Sequence, residues 1–379
     1  MTFATIRAAM PYILSALALS AAANGRSMAT TINTANEAGA YHKDFCPRLE
    51  KSLAAAKLYF KCTPSDGSIE NIARVLDDPK QIGFSQFDIY ARETAKRGGS
   101  PLTLIRDDIG RECLFMVTRN KTFKTYGDIA SLAPYLRFVL PPQGSGSAAT
   151  FEYLQKMDPD GLGKAENISY TASADAAIGE ALSSEDDAVT LFVQFPDPNN
   201  ARFRLIDEKE GQFIPVIDRS ILRQEISGQK IYYAEETEIS NPKFLKKGET
   251  VVTSCTPVTL FTGAPERVSS GVDRANHQDM IRTVQALDRS VILPSEGFFA
   301  SLLKRTKELS AAGVEEALLL SDKAREKSGL LLLKGQEKAG KIVEDSERLG
   351  KDAVEKAREL KRRAQEKAKN RADREKKTR

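Results

Sequence analysis

Arg137-Phe138-Val139-Leu140-Pro141-Pro142-Gln143-Gly144-Ser145-Gly146-Ser147, continuing from Ala148 to Met157, holds the repeating unit of this 379-residue chain. The apolar run from Arg137 to Leu140 reads as a short buried strand, Pro141-Pro142 as the turn that ends it, and Ala148 to Met157 as a helix. Backbone N–H groups of the Gly144 to Ser147 loop, backed by the helix dipole, favour an anion, and Ser145 and Ser147 add hydroxyl donors. The loop lacks the Lys of a P-loop and the full dinucleotide fingerprint. An ordinary turn is the competing reading, because Gly and Ser suit turns by themselves.

The same strand, loop and helix recur on both sides of this stretch. Thr30 to Asn33 reads as a strand, and Tyr41 to Ala56 as a helix with Phe45, Leu49 and Leu53 on one face. Lys57 to Cys62 is a strand, Ile69 to Leu76 a helix opened by Ser68, Gln81 to Ser85 a strand, and Phe87 to Arg97 a helix. After the apolar Leu114 to Val117 and the quoted unit come strand Ile168 to Tyr170, helix Asp175 to Leu182 and strand Ala188 to Val193. Alternation of this kind predicts an α/β fold with largely parallel sheets. A first half ends near Leu114, a second runs to about Lys247, and the strand Val251 to Phe261 is placed to return to the first. The expectation is two lobes, 30–117 with 251–303 and 118–250, joined by two crossing segments. Such a hinge encloses a ligand where strand ends and helix N-termini face the cleft.

Two further helix starts follow strands, Gly39-Ala40-Tyr41 and Ser65-Asp66-Gly67-Ser68, and convergence of all three in one cleft would form a binding site. Three ordinary capped helices are the alternative. Phe84-Ser85-Gln86-Phe87-Asp88 ends a strand with polar groups between aromatics, and Gln194-Phe195 ends another from the opposite half. Arg119 is a candidate partner for a carboxylate or a solvated hinge residue. No G-x-S-x-G elbow or H-E-x-x-H is present, and His42 and His277 have no nucleophile motif beside them. Two histidines and cysteines without C-x-x-C spacing make no zinc pattern. The residues read as a binding protein, with no catalytic set and no cofactor.

Hydrophobic residues at 41% and charged residues at 28% exclude a disordered chain and a polytopic membrane protein. At the front, Arg7, an apolar Ala8 to Ala23 and small residues up to Ala29 form the pattern of a cleaved signal peptide, with an N-terminal membrane anchor as the weaker alternative. An exported, periplasmic protein meets oxidising conditions. Four cysteines allow three connectivities. Cys46 with Cys62 and Cys113 with Cys255 is the expected pairing; buried free thiols are the alternative.

Read in order, Thr34 to Tyr41, Gly67 to Asn71, Ile82 to Asp88 and Gly144 to Ser147 resemble the successive cleft segments of the TAXI-type solute-binding proteins of TRAP transporters. The resemblance covers roughly Thr30 to Leu303. It implies the type II periplasmic binding protein fold, capture of a small organic anion or amino-acid-like solute, and delivery to membrane transporter subunits. It implies ligand contacts at Gly39, Tyr41, Ser68, Ser85, Gln86, Gly144, Ser145 and Ser147, to which the strand end adds Gln194. Glu37 and Asp66 depart from the family's turns and must face outward if the solute is an anion.

From Lys304 onward the chain carries 23 basic against 15 acidic residues, while residues 1 to 303 carry 33 against 37. Residues 304–379 are rich in Ala, Glu, Lys and Arg, which favour helix. Blocks of 11 residues begin at Lys323, Lys334, Asp345, Lys356 and Lys367, a period of three helical turns. A solvated spacer is the first reading of this basic helical tail. A weak seam of coiled-coil type for self-association and a surface for anionic envelope polymers compete with it; nucleic acid is not an expected partner. A binding-protein body serving as an envelope interaction module through this tail is the alternative function.

Overall fold

In the computed structural model, which describes residues 30–97, 101–184, 187–226, 228–241, 248–293, 307–331 and 334, strands and helices alternate as expected. The first lobe runs β1 (Thr30–Asn33), α1 (Cys46–Ala55), β2 (Phe60–Thr63), α2 (Ser68–Asp77), β3 (Ile82–Gln86), α3 (Phe87–Ala95) and β4 (Leu102–Arg106). The second runs β5 (Arg111–Thr118), α4 (Tyr126–Leu132), β6 (Arg137–Leu140), α5 (Gly146–Met157), β7 (Ile168–Tyr170), α6 (Ala174–Ser183), β8 (Ala188–Gln194), α7 (Ala201–Glu208) and β9 (Gln212–Ile214). It closes with α8 (Arg219–Leu222), the small hairpin β10 (Glu225–Ile226) and β11 (Gln229–Lys230), and β12 (Tyr233–Glu238). β13 (Thr250–Gly263), α9 (Gly271–Ala286), α10 (Arg289–Ile292), β14 (Lys307–Glu308) and a helix α11 over 311–331 follow. Side-chain caps set several helix starts: Ser145 accepts from the Ala148 N–H at α5, and Thr125 with Asp128 forms a capping box at α4. The stretch read as one helix from Tyr41 begins instead with a π-turn, Tyr41–Phe45, and becomes α-helical at Cys46, where Pro47 sits in the first turn.

β13 explains the two-lobed form. Its first part pairs antiparallel with β12 and β5, and its second part pairs with β3 and β4. The chain therefore crosses between lobes within this one 14-residue strand and again over 107–110, between β4 and β5. β5 had been expected with the first lobe as part of 30–117. Its partners are β8, β9 and the first part of β13, so the crossing precedes Arg111. The strand order β2-β1-β3-β13-β5-β8-β6-β7 is continuous through the hinge, parallel at both outer ends and antiparallel at its centre.

Both expected disulfides are present. Cys46–Cys62 ties α1 to β2, and Cys113–Cys255 joins directly paired residues of β5 and β13 beside the crossing. The first lobe's core gathers Ile32, Phe45, Leu49, Phe84, Leu260 and Val284. A larger apolar cluster passes from one lobe into the other, bringing Val75, Phe87 and Tyr90 together with Phe151, Leu154 and Leu140. The lobes are therefore closed onto one another through buried apolar surface, the main stabilising contribution to such an interface.

Residues 307–331 depart from the spacer reading. β14 pairs with β12, and Glu308 reaches Arg111 at the hinge at 3.2 Å. Leu318 is buried with Ile217 and Ala234. Gly127 lies so close to α11 that an added Cβ would stand 2.1 Å from the Ser321 carbonyl oxygen, and its N–H donates to Ser321 Oγ. Arg325 donates to both Asp158 oxygens at 3.0 Å and to Asp218 Oδ2 at 2.9 Å. Burial alone would raise the Asp158 pKa; the bonds and charge of Arg325, together with the bonds from the Leu162 N–H and Tyr126, outweigh it and hold that carboxyl below its ordinary value. The expected signal segment 1–29 and tail residues 335–379 lie outside the described residues.

Candidate functional site

Where β3 ends, β5 begins and β8 ends, the hinge assembles a buried polar cluster. Glu112, second residue of β5, is directly paired with Thr256 of β13, and its neighbour Cys113 with Gln194 of β8. Tyr41 Oη donates to Glu112 Oε2 at 2.7 Å, and the Gln86 side chain bonds the same carboxylate. From the second lobe, Arg202 near the start of α7 donates to Gln194 Oε1 at 2.8 Å and to Asp175 Oδ1 at 2.7 Å. Two atoms in this cluster are buried without a hydrogen-bond partner: the Gln86 carbonyl Oε1 and the Gln194 amide Nε2. Leaving one such group unsatisfied costs about 1–3 kcal/mol, so each needs a partner.

The three helix starts meet here. Gly67, with φ +127°, is in a conformation that side chains rarely adopt, and a Cβ on it would stand 3.4 Å from the Gly146 nitrogen across the lobes. A Cβ on Gly146 would stand 2.2 Å from Gln86 Oε1, so glycine here lets α5 approach β3. Ser68 Oγ accepts from the Gln86 N–H at 3.4 Å, and Ser147 Oγ accepts from the Val193 N–H at 3.0 Å. Each of these hydroxyls therefore braces a strand end and still has a proton to donate. Ser145 Oγ caps α5, while Gly144 has open space around its α-carbon. Ser85 is fully buried, and its hydroxyl donates to the Gln86 carbonyl, so it positions the strand end. Gly39 shapes the turn before Tyr41 by donating to Asn36.

Electrostatically the cluster differs from a simple anion site. Burial, reinforced by the nearby Asp88 charge, raises the Glu112 pKa to about 7; the bonds from Tyr41 and Gln86 and the charge of Arg202 oppose this. Asp88, also fully buried, accepts from Thr150 at 2.6 Å and Tyr232 at 2.8 Å, both in the second lobe. Burial raises the pKa of Asp88 too, against those hydrogen bonds. Glu37 and Asp66 are exposed. The acid that matters is Glu112, which sequence reasoning passed over; the signal was a single carboxylate heading the apolar run Cys113 to Val117. Arg202 carried no comparable signal.

Several candidates fall elsewhere. Arg119 is exposed at the far end of β5, His42 Nδ1 is 3.0 Å from Thr34 Oγ1, and His277 bonds the Gly263 carbonyl. Cys113, Cys255 and Glu235 lie within 4.8 Å of one another, but both sulfurs are in the disulfide and hold no thiolate for a metal. Among the described residues no helix is long and apolar enough to cross a membrane.

No family model matches the chain, and no curated protein is similar to it. Several solved structures are remotely similar to it. The ligand-binding core of GluR0 in complex with L-glutamate is 12% identical, covers 74% of this chain and 99% of its own, and has a TM-score of 0.41. PhnD1 from Prochlorococcus marinus in complex with methylphosphonate is 11% identical, with 81% and 98% covered and a TM-score of 0.42. A periplasmic putative metal binding protein is 11% identical, with 74% and 96% covered and a TM-score of 0.43. Likenesses this remote assign no ligand.

Proposed function

We propose that this chain is an extracytoplasmic solute-binding protein of the TAXI type. In this reading it captures a small, amino-acid-like solute between its lobes and delivers it to membrane transporter subunits. The observation that carries the reading is the pair of buried, unpartnered atoms Gln86 Oε1 and Gln194 Nε2, one from each lobe. An acceptor and a donor that each need a partner suit a ligand bearing both kinds of group. Glu112 favours an ammonium or another donor at one end, and Arg202 suits a carboxylate at the other. A plain dianion would meet the Glu112 and Asp88 carboxyls, so the zwitterion is favoured within the anion or amino-acid-like class. Two disulfides suit an oxidising compartment.

Thermal unfolding with panels of amino acids, organic acids and sugars tests this. A true ligand at 100 times its dissociation constant adds about 2.7 kcal/mol to stability. The expected outcome is a raised melting temperature with at least one amino-acid-like compound. If no compound moved it, solute capture would be abandoned in favour of an interaction module.

A further inference from the structure

Helix α11 does not close on the second lobe along its whole width. Leu318, Ser321 and Arg325 bind the lobe through Ile217, Gly127, Asp158 and Asp218. Beside that contact a groove of about 400 Å³ lies between α11, β9 with the residues after it, and the start of β13. Its volume is in the range of small-molecule sites. Phe213, Pro215, Ile217, Ile239, Val251 and Leu320 give it apolar walls. Leu320 is 57% exposed, whereas Ile217 and Val251 are buried, so the groove runs from solvent down to the edge of the core. Apolar walls offer water few hydrogen-bond partners and favour an apolar occupant.

Only one of the described lining residues is charged, and it is a cation, Lys124. Its backbone is held by an N–H bond to Asp128 Oδ2 at 2.9 Å, while its exposed ammonium makes no hydrogen bond or ion pair among the described residues. The hydroxyls beside it are engaged. Thr125 donates to Asp128 at 3.1 Å and Thr250 to Glu236 at 2.9 Å, and Ser321 Oγ accepts from the Gly127 N–H at 3.1 Å. Lys124 is therefore the polar head that still needs an anion, set at the rim of an apolar groove.

We propose that this groove is a second ligand site, for a carboxylate of the fatty-acid type. Its alkyl chain lies along the apolar walls and its head meets Lys124. The walls hold no carboxylate for the ammonium of an amino-acid-like solute and no cluster of polar groups for a sugar. Ala317 and Leu320 of α11 form one wall, Phe213 and Val251 of the lobe another, so the occupant bridges helix and lobe and strengthens their docking. The site is separate from the hinge cluster and does not rest on the solute-capture reading.

Calorimetry of the full chain at neutral pH with hexanoate, octanoate and decanoate, and with decanol, tests the proposal. Saturable binding of decanoate is expected, with affinity rising about fourfold for each methylene in the series. Decanol is expected to bind about threefold to fivefold more weakly, the strength of a partly exposed ion pair. Lys124→Met should remove that preference by lowering decanoate affinity to the level of decanol, with decanol unchanged. Leu320→Glu, which sets a charge on the exposed wall, should weaken both ligands by about tenfold. Decanoate should also slow protease cleavage within 311–331 in wild type and not in Leu320→Glu. No saturable binding of decanoate, affinity independent of chain length, or wild-type decanoate affinity in either variant would each overturn the proposal, the last by placing the ligand elsewhere on the protein.

Discussion

Replacing Glu112 by Gln is expected to make the protein more stable at pH 8 while leaving it unchanged at pH 4. Burial raises the Glu112 pKa from an ordinary 4.5 to about 7, so the folded state holds a proton that the unfolded state releases between those values. Stability therefore falls as pH rises through this window, because ionising the buried carboxyl opposes folding. At roughly 1.4 kcal/mol per unit, the native protein loses about 3 kcal/mol between pH 4.5 and 7, an upper figure for one group. Gln keeps an acceptor for Tyr41 Oη and removes the ionisation. Urea unfolding of both proteins at pH 4, 6 and 8 reads the effect as a gap that opens with pH. A gap of the same size at every pH, or a variant less stable at pH 8, would refute the assignment of Glu112 as a buried, weakly acidic group.

Other perturbations probe separate parts of the structure. Gly127→Ala places a Cβ against the Ser321 backbone, so α11 should lift from the second lobe and strand Asp158 and Asp218 without Arg325. A loss of about 3 kcal/mol and new protease cleavage within 311–331 are expected, and a variant as protease-resistant as wild type would count against docking. Removing Cys113–Cys255 by a double Ala substitution releases a loop with sequence separation 142, against 16 for Cys46–Cys62. Chain entropy puts the costs at about 5 and about 3 kcal/mol, so the hinge pair is expected to lower the denaturant midpoint more. Gln194→Ala removes a donor from the solute and the acceptor of Arg202, and about a fivefold to tenfold loss of affinity is expected by calorimetry.

Much of the architecture was legible because its signals are local. Strand, loop and helix alternate with short apolar runs, and the disulfides followed from placing Cys113 and Cys255 in strands that the return of β13 brings side by side. The lobe boundary was harder. Nothing in Arg111 to Val117 says which neighbours β5 will choose, since pairing is settled by distant strands β8, β9 and β13. The helix-start residues Gly67, Ser68, Ser145 and Gly146 were readable from strand-to-helix spacing and do meet across the lobes. Glu112 was not, because a charge at the head of a strand is ordinarily solvent-exposed, and only the crossing of two strands at the hinge buries it. The start of the tail was misread for a related reason. Its charges looked solvated, yet Arg325 is spent on two carboxylates that lie 60 residues apart in the chain, Asp158 and Asp218.

Titrating wild type and Glu112→Gln with the amino-acid-like solute found in the thermal panel, at pH 6, below the Glu112 pKa of about 7, in buffers of different ionisation enthalpy, tests the central claim most directly. If the solute's ammonium meets Glu112 between the lobes, wild type binds and releases a proton as the carboxyl ionises, while the variant binds at least tenfold more weakly and releases none. Equal affinity and equal proton release in the two proteins would show that the solute is held somewhere other than at this hinge cluster.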